Sequence, residues 1–407
     1  MRLHTYVTGP GLRRSAVAAA ALGFMLASCE LIFPAAPADD AVLDGPVAGL
    51  TPEQHAQFLR GDVAFNDEVF TSRTGLGPVF VAASCGSCHA GDGKGHPSTT
   101  LTRFGQVDST GNLFLARGGP QLQHRALPGF QPEQLPAGVA HSRFTPPANT
   151  GLGFLDAVPD QTLLALADPQ DADGDGISGR PNWIQAPGYV TERPVTRTRG
   201  GRHLGRFGKK AAAYDLLHQT ATAYNQDMGI VSSYEARDAH SGQLADPEVS
   251  NQTVLDVVAY LKLLKTPVQR EPRHPDVLAG QQLFLRIGCG KCHTPELTTG
   301  ASPVAALAHQ TVRPYTDLLL HDMGPGLNDG YTEGTAAPAE WRTPALWGLG
   351  LSPNSQGGSY FLLHDGRARS FEEAIRQHGG EGQASRQQFE GLSAEQQRQL
   401  VRFLQSL

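Results

Sequence analysis

Two pentapeptides carry the most distinctive chemistry in the chain, Cys85-Gly86-Ser87-Cys88-His89 and Cys289-Gly290-Lys291-Cys292-His293. Two thiols three residues apart, followed at once by an imidazole, are the attachment pattern of c-type haem. The thiols add to the vinyl groups and the histidine reaches the iron as proximal ligand. Zinc sites and redox dithiols use the same residue types. A structural zinc site would usually gather both CxxC pairs as four thiolates, whereas here each pair carries its own histidine. Ala279-Gly280-Gln281-Gln282-Leu283-Phe284 starts a helix that runs into Gly288-Cys289, as the chain enters the haem site of cytochrome c. Leu59-Arg60-Gly61 and Phe65 are a looser analogue before the first motif. Two covalent haems are expected, on Cys85/Cys88 and Cys289/Cys292, with His89 and His293 on the irons.

The opposite face of each iron decides what it can do. Methionine there makes a high-potential carrier, a second histidine a lower-potential one, and an open position admits peroxide. For the first site, Met228 in Asn225-Gln226-Asp227-Met228-Gly229 precedes a closing helix, where cytochrome c folds place an axial methionine. A packed core methionine and an open iron are the competing readings. His96, His124 and His141 also follow the first motif, and none stands out as a distal group. Arg342, Arg367 and Arg369 are candidate partners of haem propionates, because guanidinium matches carboxylate geometry; each could equally be solvated. Trp183, Trp341 and Trp347 could assist electron passage or simply pack. In Asp171-Ala172-Asp173-Gly174-Asp175-Gly176 the carboxylates fall on alternate residues, with glycine at the sharp turn, as in calcium loops. Asp171, Asp173 and Asp175 are therefore candidate calcium ligands. The twelfth position is Asn182 rather than a bidentate glutamate, so a solvated acidic turn is the bland reading.

The elements that must position these groups repeat. Val254 to Leu264 and Leu400 to Leu407 have apolar residues three and four apart and read as amphipathic helices. Such a closing helix crosses the CxxCH helix in cytochrome c folds. Pro267 and Glu271-Pro272-Arg273-His274-Pro275 mark a boundary. The expected fold is mainly α, with two cytochrome c-like haem domains at 51–267 and 272–407. The first is longer by a Gly/Pro-rich insertion at about 118–201, read as loops rather than a third core.

Length agrees, since 407 residues suggest two or three domains at roughly 150 each. Lys+Arg 33 against Asp+Glu 39 gives a net charge of −6, with no basic excess for a nucleic-acid backbone. Residues 1–28 read as a signal peptide: Arg2, Arg13 and Arg14, then an apolar run from Ala16 to Leu26 too short to span a bilayer comfortably. Leu26-Ala27-Ser28-Cys29 resembles a bacterial lipobox, so Cys29 is the expected lipid anchor, and 29–50 a flexible tether. Glu30 is not the aspartate associated with inner-membrane retention. The expected location is the outer membrane, facing the periplasm. Ordinary cleavage nearby, with Cys29 discarded, is the alternative.

Several longer segments resemble the di-haem oxidoreductase (putative peroxidase) family, itself similar to bacterial di-haem cytochrome c peroxidases. They are Asp168 to Arg180, Gly205-Arg206-Phe207-Gly208-Lys209-Lys210-Ala211, Leu320-His321-Asp322-Met323-Gly324 and Trp341-Arg342-Thr343-Pro344-Ala345-Leu346-Trp347-Gly348. The resemblance covers about 50 to 407. In the peroxidases the electron-transfer haem's distal ligand, usually methionine, lies fourteen residues after the histidine of a Tyr/Phe-His-x-Gly segment. Phe361-Leu362-Leu363-His364-Asp365-Gly366 matches that segment, which implies His378 opposite His293. The departure from methionine implies a lower potential, and Met323 is the rival ligand. The resemblance implies that the second haem takes electrons from a small cytochrome or cupredoxin. It passes them to the first haem, which meets hydrogen peroxide or another oxidant. A membrane-tethered di-haem electron carrier without peroxidase activity is the alternative.

Overall fold

Each CxxCH motif follows a helix whose start is written in its capping residues. A computed structural model of the chain describes residue 38 and residues 42–105, 107–108, 111–112, 120–193 and 196–407. The leader and Cys29 lie outside the described residues. Helix α1 (Pro52–Asn66) opens with a capping box, in which Thr51 and Gln54 satisfy each other's backbone N–H groups, and with proline in its first turn. Helix α2 (Leu216–Met228) is capped by Asp215 and ends at Gly229, whose φ of 64° suits a glycine cap. Helix α3 (Asn251–Leu263) is capped by Ser250. Helix α4 (Pro275–Arg286) repeats the proline start of α1. Helix α5 (Phe371–Arg376) precedes His378, and α6 (Ala394–Ser406) opens with a second capping box, from Ser393 and Gln396.

The repeat read in the sequence is visible in how these helices cross. Helix α1 packs on α3 and α4 packs on α6. At the first crossing a Cβ on Gly61 would fall 2.0 Å from Asp256 O and 2.7 Å from Tyr260 Cβ. At the second, a Cβ on Gly280 would fall 2.0 Å from Gln399 O and 2.7 Å from Phe403 Cβ. Each crossing therefore needs a residue without a side chain. One turn later Phe65 packs on Tyr260 and Phe284 on Phe403, with ring centroids 5.3 and 5.4 Å apart.

Among the described residues the fold is mixed rather than mainly α, ten α-helices with short antiparallel strand pairs between them. The Gly/Pro-rich connections satisfy part of their backbone through short antiparallel pairs. One of these, Leu320–Asp322 with Glu340–Arg342, sets His321 opposite Trp341 and Leu320 opposite Arg342. The insertion is not loops alone. Its helices Leu152–Ala157 and Asp160–Leu166 send Phe154, Leu155 and Leu163 into the core beside Phe65, Phe207 and Tyr260. Leu297, Leu318 and Trp347 join the same cluster from the second half, while Phe284, Phe371, Phe389 and Phe403 form a second one. Residues Leu43–Leu407 make one compact unit. Val47 N–H donates to Leu263 O, so the end of the segment read as a tether is packed against α3. No helix among the described residues is long and apolar enough to cross a membrane.

Candidate functional site

Both motifs open onto one cavity of about 420 Å³, lined by Cys85, Cys88 and His89 from one side and Cys289, Cys292 and His293 from the other. Its walls are largely apolar, with Phe207, Leu346 and Trp347 among them. The four described cysteines are free. Among the described residues no three cysteine or histidine ligand atoms lie within 4.8 Å of one another. The thiols do not converge as a zinc site would require. Burial pushes Cys85 and Cys289 up to about 12 and Cys88 to about 11, which leaves them as thiols rather than reactive thiolates.

The two motif histidines are held alike. His89 Nδ1–H donates to Pro147 O at 3.0 Å and His293 Nδ1–H to Tyr315 O at 3.0 Å. A carbonyl can only accept, so each ring is the tautomer that leaves Nε2 free to bind a metal. Burial lowers both to about 4, which keeps them neutral, as ligation requires. Phe65 lies 5.8 Å from the His89 ring and Phe284 6.3 Å from that of His293, at nearly equal tilt. His378 lines the cavity and obeys the same rule: Nδ1–H donates to Ala374 O at 2.8 Å, one turn back along α5. After burial, proximity to His378 is the next largest cause of the depressed His293 pKa. Met323 is close by, since a Cβ on Gly382 would meet His378 Cβ at 3.0 Å and Met323 Cε at 3.4 Å.

The first site offers Met228, buried at the end of α2 among Phe70, Leu76 and Tyr224, yet also touching the cavity. Asp227 beside it lines the cavity too, and burial raises its carboxyl to about 7. His96, His124 and His141 do not line the cavity. His96 accepts from Ser98 N–H and meets Phe361 edge-on at 4.7 Å.

Haem needs an apolar enclosure and cations for its propionates; the cavity is largely apolar, and cationic side chains line it. Arg342 lines the cavity, with Nε on Gly208 O and Nη1 on Thr343 O. Burial lowers it to about 10. Lys94 and Lys209, which carried no signal as single lysines, line it as well. Burial lowers Lys94 to about 7 and Lys209 well below its ordinary value. Arg367 is elsewhere: it does not line the cavity, and it pairs with Asp365 at 2.7 Å. Arg369 covers the Phe361 ring at 3.7 Å. Trp341 and Trp347 line the cavity and Trp183 does not. Trp341 stacks on His364 at 3.7 Å and 12°, under Lys210 Nζ at 3.9 Å.

The acidic loop splits its carboxylates. Oxygens of Asp168, Asp171 and Asp173 lie within 4.8 Å of one another. Asp175 turns away to Lys291, and Asp168 takes the place it was expected to fill. A further polar group escaped the sequence reading. His321 reaches Asp317 at 2.8 Å through Nε2, and through Nδ1 both Glu381 at 2.6 Å and Cys292 Sγ at 3.4 Å. Glu381 accepts from Ser178 Oγ–H at 2.5 Å. Hydrogen bonds to both carboxylates hold His321 well above 6.5 despite its burial, so it is charged.

No curated protein matches the chain. A structure of Kuenenia stuttgartiensis hydrazine synthase, pressurised with 20 bar of xenon, resembles it with a TM-score of 0.39 and 14% identity over 92% of this chain and 97% of that one. Residues 141–407 match the family model described as "Di-haem oxidoreductase, putative peroxidase", a span that holds the second motif and begins after the first. With well over half its length matched, the chain belongs to the di-haem oxidoreductase family.

Proposed function

We propose that this oxidoreductase is a di-haem c-type peroxidase, with electrons entering at the His293 site and peroxide reduced at the His89 site. Haem would be held covalently, by thioethers from Cys85/Cys88 and Cys289/Cys292, in two cytochrome c-like domains. When bound, it supplies the iron that exchanges electrons and, where a coordination position is open, the place where peroxide reacts. The single observation that carries this reading is the shared cavity, whose lining includes both motifs. Nδ1-bonded, neutral His293 and His378 suit an iron closed on both faces, whose coordination stays fixed during electron passage. The donor is a small cytochrome or cupredoxin, and the protein works exported and anchored to the outer membrane through Cys29. Calcium at the Asp168–Asp171–Asp173 cluster would be structural.

The test is turnover. Protein matured with haem in a periplasm should oxidise a reduced cytochrome or cupredoxin only when peroxide is added, and its mass should show two covalent haems. Burial of Met228 beside the first motif favours the other reading, an electron carrier with both irons closed. Low-spin haems in every redox state, inert to cyanide and without peroxide turnover, would establish the carrier instead.

A further inference from the structure

Lys94, Lys209 and Arg342 line the cavity with fewer acceptors than they have protons to give. Lys209 is half-buried and lines the cavity, and its Nζ meets no hydrogen-bond acceptor among the described residues. Lys94 Nζ, with three protons to give, donates one to Leu363 O at 2.9 Å. Arg342 uses Nε and Nη1 on carbonyls and leaves Nη2 without a described partner. Lys94 and Arg342 are near enough to Lys209 to disfavour its charge further. The carboxylates facing this group are already engaged. Asp365 is paired with Arg367, and Asp317 with His321. His364 and His89 also face Lys209, and burial keeps both neutral.

Neighbouring cations show how the chain treats charge it means to bury. Lys210 gives its protons to Ala337 O, Pro338 O and Glu340 O, and Arg206 pairs with Asp160. Buried charges are expected to be paired or fully hydrogen-bonded. Lys209, next in sequence to a fully bonded lysine, is left open on the cavity side. Its free donors face the cavity, where an anion that entered could accept from them.

We propose that Lys209, with Lys94 and Arg342, receives the propionate carboxylates of haem where the two sites meet. The proposal rests on the reading of the CxxCH motifs as haem sites and adds to it the groups that hold the propionates ionised. Lys209 is a positioning and tuning residue. A fixed cation beside a propionate favours the reduced haem and keeps the carboxylate from taking up a proton as the pH falls.

The test is a potentiometric titration of the matured protein, followed by optical spectra from pH 5.5 to 8.5, for wild type, Lys209→Met, Lys94→Met and Lys209→Arg. Lys209→Met should lower the midpoint potential of at least one haem at pH 8. It should also give that potential a rise toward low pH, where the propionate takes up a proton on reduction. Lys209→Arg should restore the wild-type value and flat profile, and Lys94→Met should give a smaller shift in the same direction. Mass spectra of each variant keep the two readings apart, because wild type without covalent haem overturns the haem reading itself. Variants with both haems, unchanged potentials and unchanged pH profiles would overturn the role of Lys209. So would a wild-type potential that moves with added inorganic phosphate at constant ionic strength, since the anion would then be a diffusible one.

Discussion

Asp175 and Lys291 form an ion pair at 2.9 Å, which joins the acidic loop of the insertion to one of the two residues between the cysteines of the second motif. Ser178, three residues on, bonds Glu381, and Glu381 bonds His321 beside Cys292. The loop is thus fastened at two points to the wall of the His293 site. Asp168, Asp171 and Asp173 remain grouped with one another.

Calcium should therefore raise the melting temperature in a concentration-dependent way, as any ligand selective for the folded state does. Asp171→Asn should abolish the rise. Asp175→Asn should preserve it and cost at most about 1 kcal/mol, because a partly exposed ion pair contributes little. Calorimetric scans with and without chelator check both. A rise that survives Asp171→Asn would place the ion elsewhere.

Gly61→Ala and Gly280→Ala should each destabilise by about 3 kcal/mol, at the upper end for overpacking a close contact. In both, the new Cβ would fall 2.0 Å from a carbonyl oxygen of the crossing helix. Urea denaturation measures the loss. The two variants should fall together, since the crossings are built alike. A near-neutral Gly280→Ala would show that α4 and α6 can part without cost.

On the proposed function, His378 closes the haem at His293 and should set its properties. His378→Met should raise its potential, because methionine ligation favours the reduced iron relative to imidazole. His378→Gly should let it bind cyanide. In both variants the His89 haem's spectrum should stay as it was. Potentiometry and electron paramagnetic resonance separate the two haems. An unchanged second haem in His378→Gly would transfer the ligand role to Met323.

Asp92 sets a pH dependence. Burial raises its carboxyl from 3.8 to about 6, although Tyr260 O–H donates to it at 2.7 Å. The folded carboxyl binds its proton more tightly than the unfolded one. Stability from this group is therefore greatest below about pH 4, falls between about 4 and 6, and stays low above. Asp92→Asn removes the buried charge and keeps a residue type that tolerates the local φ of 55°. It should add up to about 3 kcal/mol at pH 7 and little near pH 4, by denaturant titration across that range. A gain equal at both pH values would mean that the charge is not its source.

The sequence by itself determined the two CxxCH motifs, the repeated helix pair and, through caps and prolines, helix starts at Asn251, Pro275 and Ala394, ahead of the Val254, Ala279 and Leu400 that the apolar spacing marked. Each of these is local: a cap, a proline, a spacing of apolar residues or two thiols beside an imidazole. The family segments were equally legible, because they are continuous runs. What only the tertiary structure decided is which side chains share the cavity. Lys209 and Lys210 are adjacent in sequence, yet one faces the cavity and the other is bonded to three carbonyls. Arg342 and Arg367 looked alike as propionate partners, and only Arg342 lines the cavity. Asp168 replaced Asp175 in the carboxylate cluster because Lys291, more than a hundred residues away, draws Asp175 aside. His321 gave no sign of its charge, since Glu381, the second of its two carboxylate partners, is brought to it from 60 residues away. Burial and the pairing of distant charges depend on where the backbone brings the side chains, and no local spacing encodes that.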